Sequence, residues 1–434
     1  MELTGVQVGI LMIALAVGLM LLGFPVAVTM IIAGFLGMWL IRGSAPALGL
    51  LGWQTWGQSL KQILVIIPLY TWMGVMAARG GVGADAFTAL DKWIGHVRGG
   101  LAMTVSVACA AFGAVCGNHI ATSVAMSRIA RPEMKKRGYD DGFSLAAIAA
   151  SGNLGIMIPP SGSFILFGFL TDTSIKDLFI AGILPGIFIM VLFIIQIAVQ
   201  VKLKPSLAPA GPRVGWIDRL RHTYLLWPIA LIFIIVMGGI YFGVFTPTEA
   251  ACVGCLAVLL VSVARRKLNV KGIIQTLREA LPVSAMIMLM LIAARIFASA
   301  LSVSGVTTAL TNAIVGLGVS PYAIMALILV IYIIMGIFMD IFAVMVITLP
   351  VFFPVVLALG FSPLHFGVLC VAAIMTGSLS PPFAILAYAM HNLYPEVSLG
   401  TIFRGSIPFL ITLAASMFIL VFIPQLATYL PTLR

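Results

Sequence analysis

The sequence predicts an all-α membrane protein that crosses the bilayer many times. Its 434 residues are 62% hydrophobic and 9% charged. Soluble domains average about 45–50% apolar and about 25% charged residues. Apolar runs of about 20 residues, the length that spans a bilayer, recur along the whole chain. A soluble globular enzyme and a disordered chain are therefore both excluded.

Apolar runs between charges and Gly or Pro breaks predict fourteen membrane segments. Two neighbouring pairs have almost no loop between their members, and we expect them to be re-entrant helical hairpins over 99–131 and 320–358. The amino terminus has no basic stretch before its first apolar run, so no cleaved signal peptide is expected. The predicted segments are 6–22, 25–41, 61–79, 99–116, 119–131, 143–171, 180–201, 223–243, 247–264, 283–302, 320–338, 341–358, 364–393 and 407–430.

The chain contains an internal repeat with an offset of 222 residues. At this offset Asn118 coincides with Asp340, and the pair Pro159-Pro160 coincides with Pro381-Pro382. Several glycines and single prolines coincide in the same register, which chance matches do not explain. We therefore expect a first repeat over 1–201, a polar and basic cytoplasmic linker over 202–222, and a second repeat over 223–434.

The basic residues predict the orientation of the two repeats. The segments 128–137, 202–221 and 265–278 are all strongly basic, and two passes separate each neighbouring pair. With a few single residues they place 19 of the 24 Lys and Arg residues on one side, which the positive-inside rule makes the cytoplasm. The repeat mate of 128–137 is 350–359, which is uncharged. The two repeats are therefore expected to have inverted topology, and the basic excess implies no nucleic-acid partner.

Each repeat contains a membrane helix that a Pro-Pro pair interrupts, over 143–171 and 364–393. Proline has no N–H, so the carbonyls of Gly155 and Ile156, and those of Gly377 and Ser378, lose their helical partners. Within a membrane such carbonyls are tolerated where they line a cavity or meet a ligand. Inverted repeats with broken helices are typical of secondary transporters, whose ion sites use unwound carbonyls. Proline kinks repaired by neighbouring hydroxyls are the structural alternative.

The two hairpin tips are the expected partners of these breaks. Asn118 and Thr122 supply neutral polar groups at the first tip, and the helix that follows directs its free N–H groups into the membrane. Asp340 at the second tip is an isolated carboxylate in an apolar stretch, which requires a partner, a proton or a cation. A helix cap at the turn is the alternative role for Asp340.

Three other polar residues have simpler interpretations. Arg295 lies within a predicted span and is expected to pair with a carboxylate or to reach the interface. Glu249 is expected to complete a capping box with Thr246 at the start of a helix. His119 beside the first tip is expected to make hydrogen bonds, with a proton-carrying role as the alternative.

These stretches resemble the large membrane subunit of TRAP (tripartite ATP-independent periplasmic) transporters. The resemblance covers nearly the whole chain and departs from the family's pattern at Asn118-His119, where small hydroxyl residues are expected. The matching stretches are 117–122, 131–140, 155–161, 177–186, 339–340, 348–354, 381–382 and 402–405.

The resemblance implies sodium-coupled import of an organic acid across the bacterial inner membrane by an elevator mechanism. It implies two protein partners, which are a periplasmic substrate-binding protein and a small membrane subunit of four helices. Because the first repeat begins at residue 1, that subunit is expected to be a separate chain. The resemblance further implies that membrane lipid surrounds the chain and that sodium ions are the coupling ions. It implies no cofactor and no enzymatic activity.

The resemblance also implies two sodium sites, each between a hairpin tip and a break, with the substrate between them. The first sodium site is assigned to Gly117, Asn118, Gly155, Ile156 and Ile158. The second is assigned to Gly336, Asp340, Thr376, Gly377, Ser378 and Ser380. Substrate contacts are assigned to Thr122, Ser123, Asn153, Ser161 and Ser163.

Three other functions remain open at this point. A standalone organic-anion carrier, coupled to ions or to protons through Asp340 or His119, needs no binding protein. A membrane enzyme needs a cluster of His, Asp or Glu, whereas the five histidines are scattered. A channel fits two oppositely directed hairpins less well than alternating access does.

Overall fold

The computed structural model describes residues 3–433. Their regular secondary structure is helical, and they form no strand beyond an isolated bridge between Arg98 and Ala210. Eight helices are long and apolar enough to cross a membrane, or nine if one bent pair is a single span. The prediction of an all-α membrane protein is confirmed by this architecture.

The helices follow the chain in two series. The first comprises Gly5–Leu21, Val26–Arg42, Ser44–Ser59, Ile66–Arg79, Val82–Ile94, Gly100–Cys116, His119–Lys136, Asp141–Gly152, Leu154–Met157, Gly162–Thr171 and Ile175–Leu203. Trp216–Thr223 lies in the linker. The second comprises Trp227–Phe233, Gly239–Tyr241, Pro247–Ala264, Val270–Ser304, Val306–Gly316, Pro321–Phe338, Ile341–Ala358, Pro363–Leu379, Ile385–Leu393, Leu399–Phe422 and Gln425–Thr432. Short 3₁₀ turns at Gln62–Val65, Pro205–Leu207 and Tyr224–Leu226, and a π turn at Ile234–Gly238, complete the order.

Two pairs of helices form the expected tight hairpins. The first hairpin is Gly100–Cys116 with His119–Lys136, and the second is Pro321–Phe338 with Ile341–Ala358. In each, two residues join helices that contact each other. The ends of both hairpins recur at the 222-residue offset, which places equivalent turns at 117–118 and 339–340.

The two interrupted helices run past each other in opposite directions. The first broken helix is Asp141–Gly152, Leu154–Met157 and Gly162–Thr171, bent by 41° at its break. The second is Pro363–Leu379 followed by Ile385–Leu393. Phe167, late in the first, packs on Phe366, early in the second, with ring centroids 6.1 Å apart. Their midpoints also meet, so the two courses are antiparallel.

Several predicted boundaries were wrong, in two cases because proline was treated as a helix end. The helix predicted over 119–131 continues through Pro132 to Lys136. Lys135 and Lys136 in its last turn interact favourably with the negative end of the helix dipole. The span predicted over 283–302 is a 35-residue helix, Val270–Ser304, that contains Pro282 and takes in part of the basic stretch. The last segment, predicted over 407–430, is instead the helix Leu399–Phe422, and a separate short helix, Gln425–Thr432, follows it. Neighbouring helices stabilise these prolines within membrane helices.

Two short helices were missed, and one predicted cap is confirmed. Val82–Ile94 and Val306–Gly316 each follow a glycine with φ of +74°, Gly81 and Gly305, a turn that favours glycine. The capping box is present: the amide of Thr246 donates to Glu249 Oε2 at 2.8 Å, and the Glu249 amide donates to Thr246 Oγ1 at 3.3 Å.

Candidate functional site

The first hairpin turns within two residues whose chemistry suits the turn. Gly117 adopts the left-handed region with φ of +64°, where a side chain would be strained. Asn118 is extended and caps the next helix, because its Oδ1 accepts from the Ala121 amide at 3.0 Å. The tip therefore directs the start of His119–Lys136 into the protein interior, where His119 is buried.

This tip lies directly against the first broken helix. The Gly162 amide donates to the Gly117 carbonyl at 3.3 Å, across the break. A methyl group at Gly155 would lie 2.7 Å from Thr122 Oγ1 and 3.2 Å from the Asn118 carbonyl oxygen. The structure thus brings together Gly117, Asn118 and Gly155, three of the residues assigned to the first sodium site.

Two serines occupy one of the carbonyls at the first break. Ser161 Oγ donates to the Ile156 carbonyl at 2.5 Å, and Ser163 Oγ donates to it at 2.8 Å. The amide of Ile158 donates to Leu154. Because Pro159 has no N–H, the Gly155 carbonyl has no helical partner. Ser161 and Ser163, assigned to substrate, therefore repair the Ile156 carbonyl, as the hydroxyl alternative anticipated, and Gly155 provides the more available oxygen.

Asn153 joins the two broken helices at their midpoints. Its Nδ2 donates to the Met375 carbonyl at 2.8 Å and to Ser378 Oγ at 3.1 Å. Ser378 Oγ also lies 3.2 Å from Asn153 Oδ1. All three residues are buried, and Met375 is the repeat mate of Asn153. The side chain assigned to substrate contact therefore links the two halves.

Three buried polar atoms beside the first tip have no hydrogen-bond partner among residues 3–433. They are His119 Nδ1, Thr122 Oγ1 and Ser123 Oγ. Most threonine hydroxyls in helices bond the preceding turn, as Thr348 does to the Val344 carbonyl at 2.7 Å. Buried unpartnered polar groups are costly and point to a ligand or an ordered water.

The second tip and break satisfy more of their own polar groups. Asp340 caps its helix, since its Oδ2 accepts from the Phe342 amide at 3.1 Å. Ser380 donates from its amide to the Gly377 carbonyl at 2.9 Å and from its hydroxyl to the Thr376 carbonyl at 2.7 Å. The Thr376 hydroxyl bonds Ala372. A methyl group at Gly336 would lie 3.4 Å from Gly377 Cα, so this hairpin also packs closely on its broken helix.

A cavity of about 770 Å³ leads to the first tip and ends there at Asn118 and Gly162. Its wall opposite the hairpin is formed by Ile66–Arg79 and Val270–Ser304, with Tyr70 and Ile287 among the lining residues. Its other end is charged, with Arg128 and the ion pair of Arg79 with Glu279. Phe342 of the second hairpin reaches the same cavity.

Sequence reasoning missed the wall of this cavity opposite the hairpin. Arg79 was counted only among the single basic residues of the cytoplasmic side and Glu279 was not considered, although the two form an ion pair and both line the cavity. The available signal was a charged residue towards the cytoplasmic end of each of the two helices that form this wall, Arg79 in one and Glu279 in the other. Among residues 3–433, no group of three His, Cys, Asp or Glu side chains is placed to hold a metal ion.

Paired hairpins, broken helices and a cavity that ends at a hairpin tip define a membrane transport protein of many spans. The chain belongs to the family described as "Tripartite ATP-independent periplasmic transporter, DctM component", which matches residues 12–426. It is therefore a permease component in the bacterial inner membrane, and it is not an enzyme.

Two relatives and one solved structure illustrate the match. The chain is 32% identical to the ectoine TRAP transporter large permease protein TeaC of Halomonas elongata, over 97% of this chain and 98% of that protein. It is 30% identical to the C4-dicarboxylate TRAP transporter large permease protein DctM of Pseudomonas aeruginosa, over 85% and 86%. The crystal structure of the Alcanivorax borkumensis YdaH transporter, described as having an unusual topology, matches with a TM-score of 0.68 at 14% identity, over 89% and 90%. That likeness concerns the fold alone.

Proposed function

We propose that this chain is the large subunit of a sodium-driven importer that moves an organic acid by an elevator mechanism. It would receive the acid from a periplasmic binding protein and would work with a small four-helix membrane subunit. The observation that carries the proposal is the cavity that joins the charged, cytoplasmic ends of Ile66–Arg79 and Val270–Ser304 to the first hairpin tip. Such a cavity corresponds to a carrier whose site faces the cytoplasm.

The proposed moving unit consists of the two hairpins and the two broken helices. Gly113 of the first hairpin packs so closely that an added methyl group would lie 2.6 Å from Gly155 Cα. Gly336 and Gly377 make the corresponding contact in the second half, and Asn153 joins the halves. Four elements linked in this way can move as one body. The cavity opens between the first hairpin and Ile66–Arg79 towards the cytoplasmic side, while near the tip the two still touch, since an added methyl group at Gly74 would lie 2.7 Å from the Cys116 carbonyl oxygen.

The proposed inverted repeat has support from the course of the chain. The broken helices are antiparallel, and the base of the first hairpin meets the end of the second broken helix. There the Tyr394 hydroxyl donates to the Ser127 carbonyl at 3.0 Å, and buried Arg131 lies over the Tyr394 ring. Opposite insertion of the two halves accounts for an uncharged 350–359 segment and a basic 128–137 segment.

The proposed first ion site uses the Gly155 carbonyl with oxygens of Asn118 and of Thr122, a residue assigned from the sequence to substrate contact. Ser123, also assigned to substrate, lies beside it. Unwound carbonyls at the midplane commonly coordinate Na⁺ in secondary transporters. The second site uses Asp340 with the Thr376–Ser380 break. Asp340 has an oxygen to spare, because its hydrogen bond to Phe342 uses only Oδ2.

The class of substrate and the partners come from the relatives. Relatives are named for ectoine, C4-dicarboxylates and sialic acid. We take an organic acid as the common class, since the free N–H groups and positive ends of helices at the tips favour a carboxylate. The family name indicates three parts, which correspond to this chain, the small subunit and the periplasmic binding protein.

The test is uptake into proteoliposomes that contain this chain and its small subunit. Candidate acids are presented with and without their binding protein, under an inward sodium gradient or a proton gradient. Uptake that requires both sodium and the binding protein supports the proposal. Uptake without the binding protein contradicts it and supports a standalone carrier.

Proton coupling is the second candidate, and one observation favours it. His119 is buried beside the first tip and its Nδ1 has no hydrogen-bond partner among residues 3–433, so this nitrogen is available to take up and release a proton. The same assay distinguishes the two candidates. Uptake driven by a proton gradient without sodium, and abolished in His119→Gln, would favour this second mechanism.

A further inference from the structure

The face opposite the basic clusters carries few basic residues, and most of them converge. Outside the 19 residues assigned to the cytoplasmic side, the remaining basic residues are Arg42, Lys61, Lys176, Arg295 and Arg434. Three of these, Lys61, Lys176 and Arg295, line one cavity of about 650 Å³. Because the positive-inside rule disfavours basic residues on this face, their convergence requires an explanation.

This cavity, which we call the basic vestibule, lies far from the cavity at the first tip. Arg295 and Glu279 are on the same helix, Val270–Ser304, and are separated by sixteen residues, or about 24 Å at 1.5 Å per residue. Glu279 lines the first cavity and Arg295 lines the vestibule. The long helix therefore faces a cavity near each of its ends.

The vestibule cations surround one aromatic ring and one carboxylate. Arg295 lies over the Phe169 ring at 4.9 Å, and Lys61 Nζ lies over the same ring at 5.4 Å. Arg295 Nη2 donates to the Phe169 carbonyl and, at 2.8 Å, to Asp172 Oδ1. Asp172 is the only acidic residue among those that line the cavity, so the lining keeps two positive charges in excess.

The arrangement leaves donor capacity for a further anion. Asp172 is largely exposed, with 76% of its side chain accessible, whereas Arg295 is 18% accessible. Arg295 Nε is buried and has no hydrogen-bond partner within residues 3–433. An exposed carboxylate can exchange for another at little cost, because exposed ion pairs contribute only about 0–1 kcal/mol. Lys61 is exposed, and Lys176 lies in the first turn of Ile175–Leu203, where the helix dipole adds positive potential.

We propose that the basic vestibule binds the carboxylate of an arriving organic acid, with Lys61, Lys176 and Arg295 as its cationic groups. Arriving acid takes the place of Asp172 on the Arg295 guanidinium. Because Arg295 belongs to the long helix and Asp172 follows the first broken helix, this exchange also releases a contact between the proposed scaffold and the moving unit. The inference rests on the proposed uptake of an organic acid, and it assigns the place where the acid first meets the membrane subunit.

The test measures the electrostatic potential in the vestibule through the rates at which charged reagents label an engineered cysteine. Gln62 is exposed and lines the vestibule, so Gln62→Cys serves as the reporter in a Cys252→Ser background, where the four remaining cysteines are buried. The full-length chain is placed in nanodiscs of zwitterionic lipid. The reporter reacts with an anionic or a cationic methanethiosulfonate at low ionic strength. Leu317→Cys, exposed after the helix that ends at Gly316, serves as the control reporter without vestibule cations nearby.

We expect the ratio of the anionic to the cationic labelling rate to be about tenfold higher at Gln62→Cys than at the control reporter. Each of Lys61→Gln, Lys176→Gln and Arg295→Gln should reduce that preference about two- to fivefold, since a charge at about 4 Å in water contributes about 1 kcal/mol. Millimolar succinate should slow labelling of the parent reporter, and neutral succinamide should not. If Arg295→Gln does not fold, the two lysine variants complete the test.

Three results would overturn the inference. The first is a preference equal to that of the control reporter, and the second is a preference that survives all the charge substitutions. The third is protection by anionic phosphatidylglycerol in the nanodisc but not by succinate, which would identify a lipid site. Because labelling requires no transport, failure of sodium-driven uptake and failure of this inference are distinguishable.

Discussion

The two halves have corresponding hairpins and broken helices, but their tips carry different polar groups. At the first tip, Thr122 and Ser123 are buried without partners, and the Gly155 carbonyl has no helical donor. At the second, Ser380 satisfies the Thr376 and Gly377 carbonyls, and Asp340 contributes a carboxyl group. The cavity reaches the first tip, while the second half contributes Phe342 to its lining. The two tips therefore differ in chemistry, and of the two proposed sites the first is built of neutral oxygens and the second includes a carboxyl group.

The largest expected effect comes from breaking the link between the two halves. Asn153→Ala removes the donors to the Met375 carbonyl and to Ser378 Oγ, although Ser378 Oγ still donates to the Met375 carbonyl at 3.0 Å. Two hydrogen bonds of about 0.5–1.5 kcal/mol each are lost and a cavity replaces the buried amide, so we expect a loss of about 3 kcal/mol and a clearly lower Tm in detergent.

The matched control is Asn312→Ala, because Asn312 is exposed on a helix and has no such role. We expect its Tm to be close to that of the parent protein. Equal Tm values for Asn153→Ala and Asn312→Ala would contradict the assignment of Asn153 as the link.

The next largest effect is expected from overpacking the contact between each hairpin and its broken helix. In Gly113→Ala the new methyl group would lie 2.6 Å from Gly155 Cα, whereas in Gly336→Ala it would lie 3.3 Å from the Ile374 carbonyl oxygen. Overpacking typically costs about 1–3 kcal/mol, so Gly113→Ala should lower the Tm markedly and Gly336→Ala much less. A larger loss in Gly336→Ala would show that the first hairpin is the looser of the two.

A smaller effect separates the two roles of Asp340. Asp340→Ala removes a helix cap and should cost about 1 kcal/mol, whereas Asp340→Asn keeps a good capping residue and removes the charge. We expect Asp340→Asn to retain the parent Tm and to lose sodium-dependent uptake. Retained uptake in Asp340→Asn together with a lower Tm in Asp340→Ala would leave the cap as the sole role of Asp340.

The smallest effect on stability is expected at Thr122, although its effect on transport should be large. Thr122→Val removes a hydroxyl that has no partner in the protein, so the Tm should stay the same or rise slightly. Thr348→Val, the control, removes a hydroxyl that bonds Val344, in the corresponding helix of the second hairpin. Uptake should be lost in Thr122→Val and largely kept in Thr348→Val, and equal uptake in both would remove Thr122 from the site.

The sequence predicted the parts of this architecture that depend on composition and on strong local signals. The hairpin turns at Gly117-Asn118 and Met339-Asp340 were located to the residue, because a glycine and short polar side chains interrupt apolar runs there. Helix ends were predicted poorly at Pro132 and Pro282, which were treated as ends but lie within helices. In membranes the neighbouring helices decide whether a proline ends a helix.

The site was predicted at the level of elements and less well at the level of single atoms. Local sequence indicated that Gly155 and Ile156 lose helical donors, but the two serines that occupy the Ile156 carbonyl depend on the conformation of the break. The link from Asn153 to Met375 depends on the antiparallel course of helices 222 residues apart, and so does the convergence of Lys61 and Arg295 on Phe169. Such contacts between distant segments have no local signature.

The most direct test of the account is the dependence of uptake on external sodium, measured in proteoliposomes with the small subunit and the binding protein. Parent protein, Thr122→Val and Asp340→Asn are compared, with Asp218→Asn, an exposed residue of the linker, as the control. The account predicts saturable sodium dependence in the parent and in Asp218→Asn. It predicts a sodium requirement raised at least tenfold, or uptake abolished, in the two tip variants. Unchanged sodium dependence in both tip variants would contradict the assignment of sodium sites to the hairpin tips.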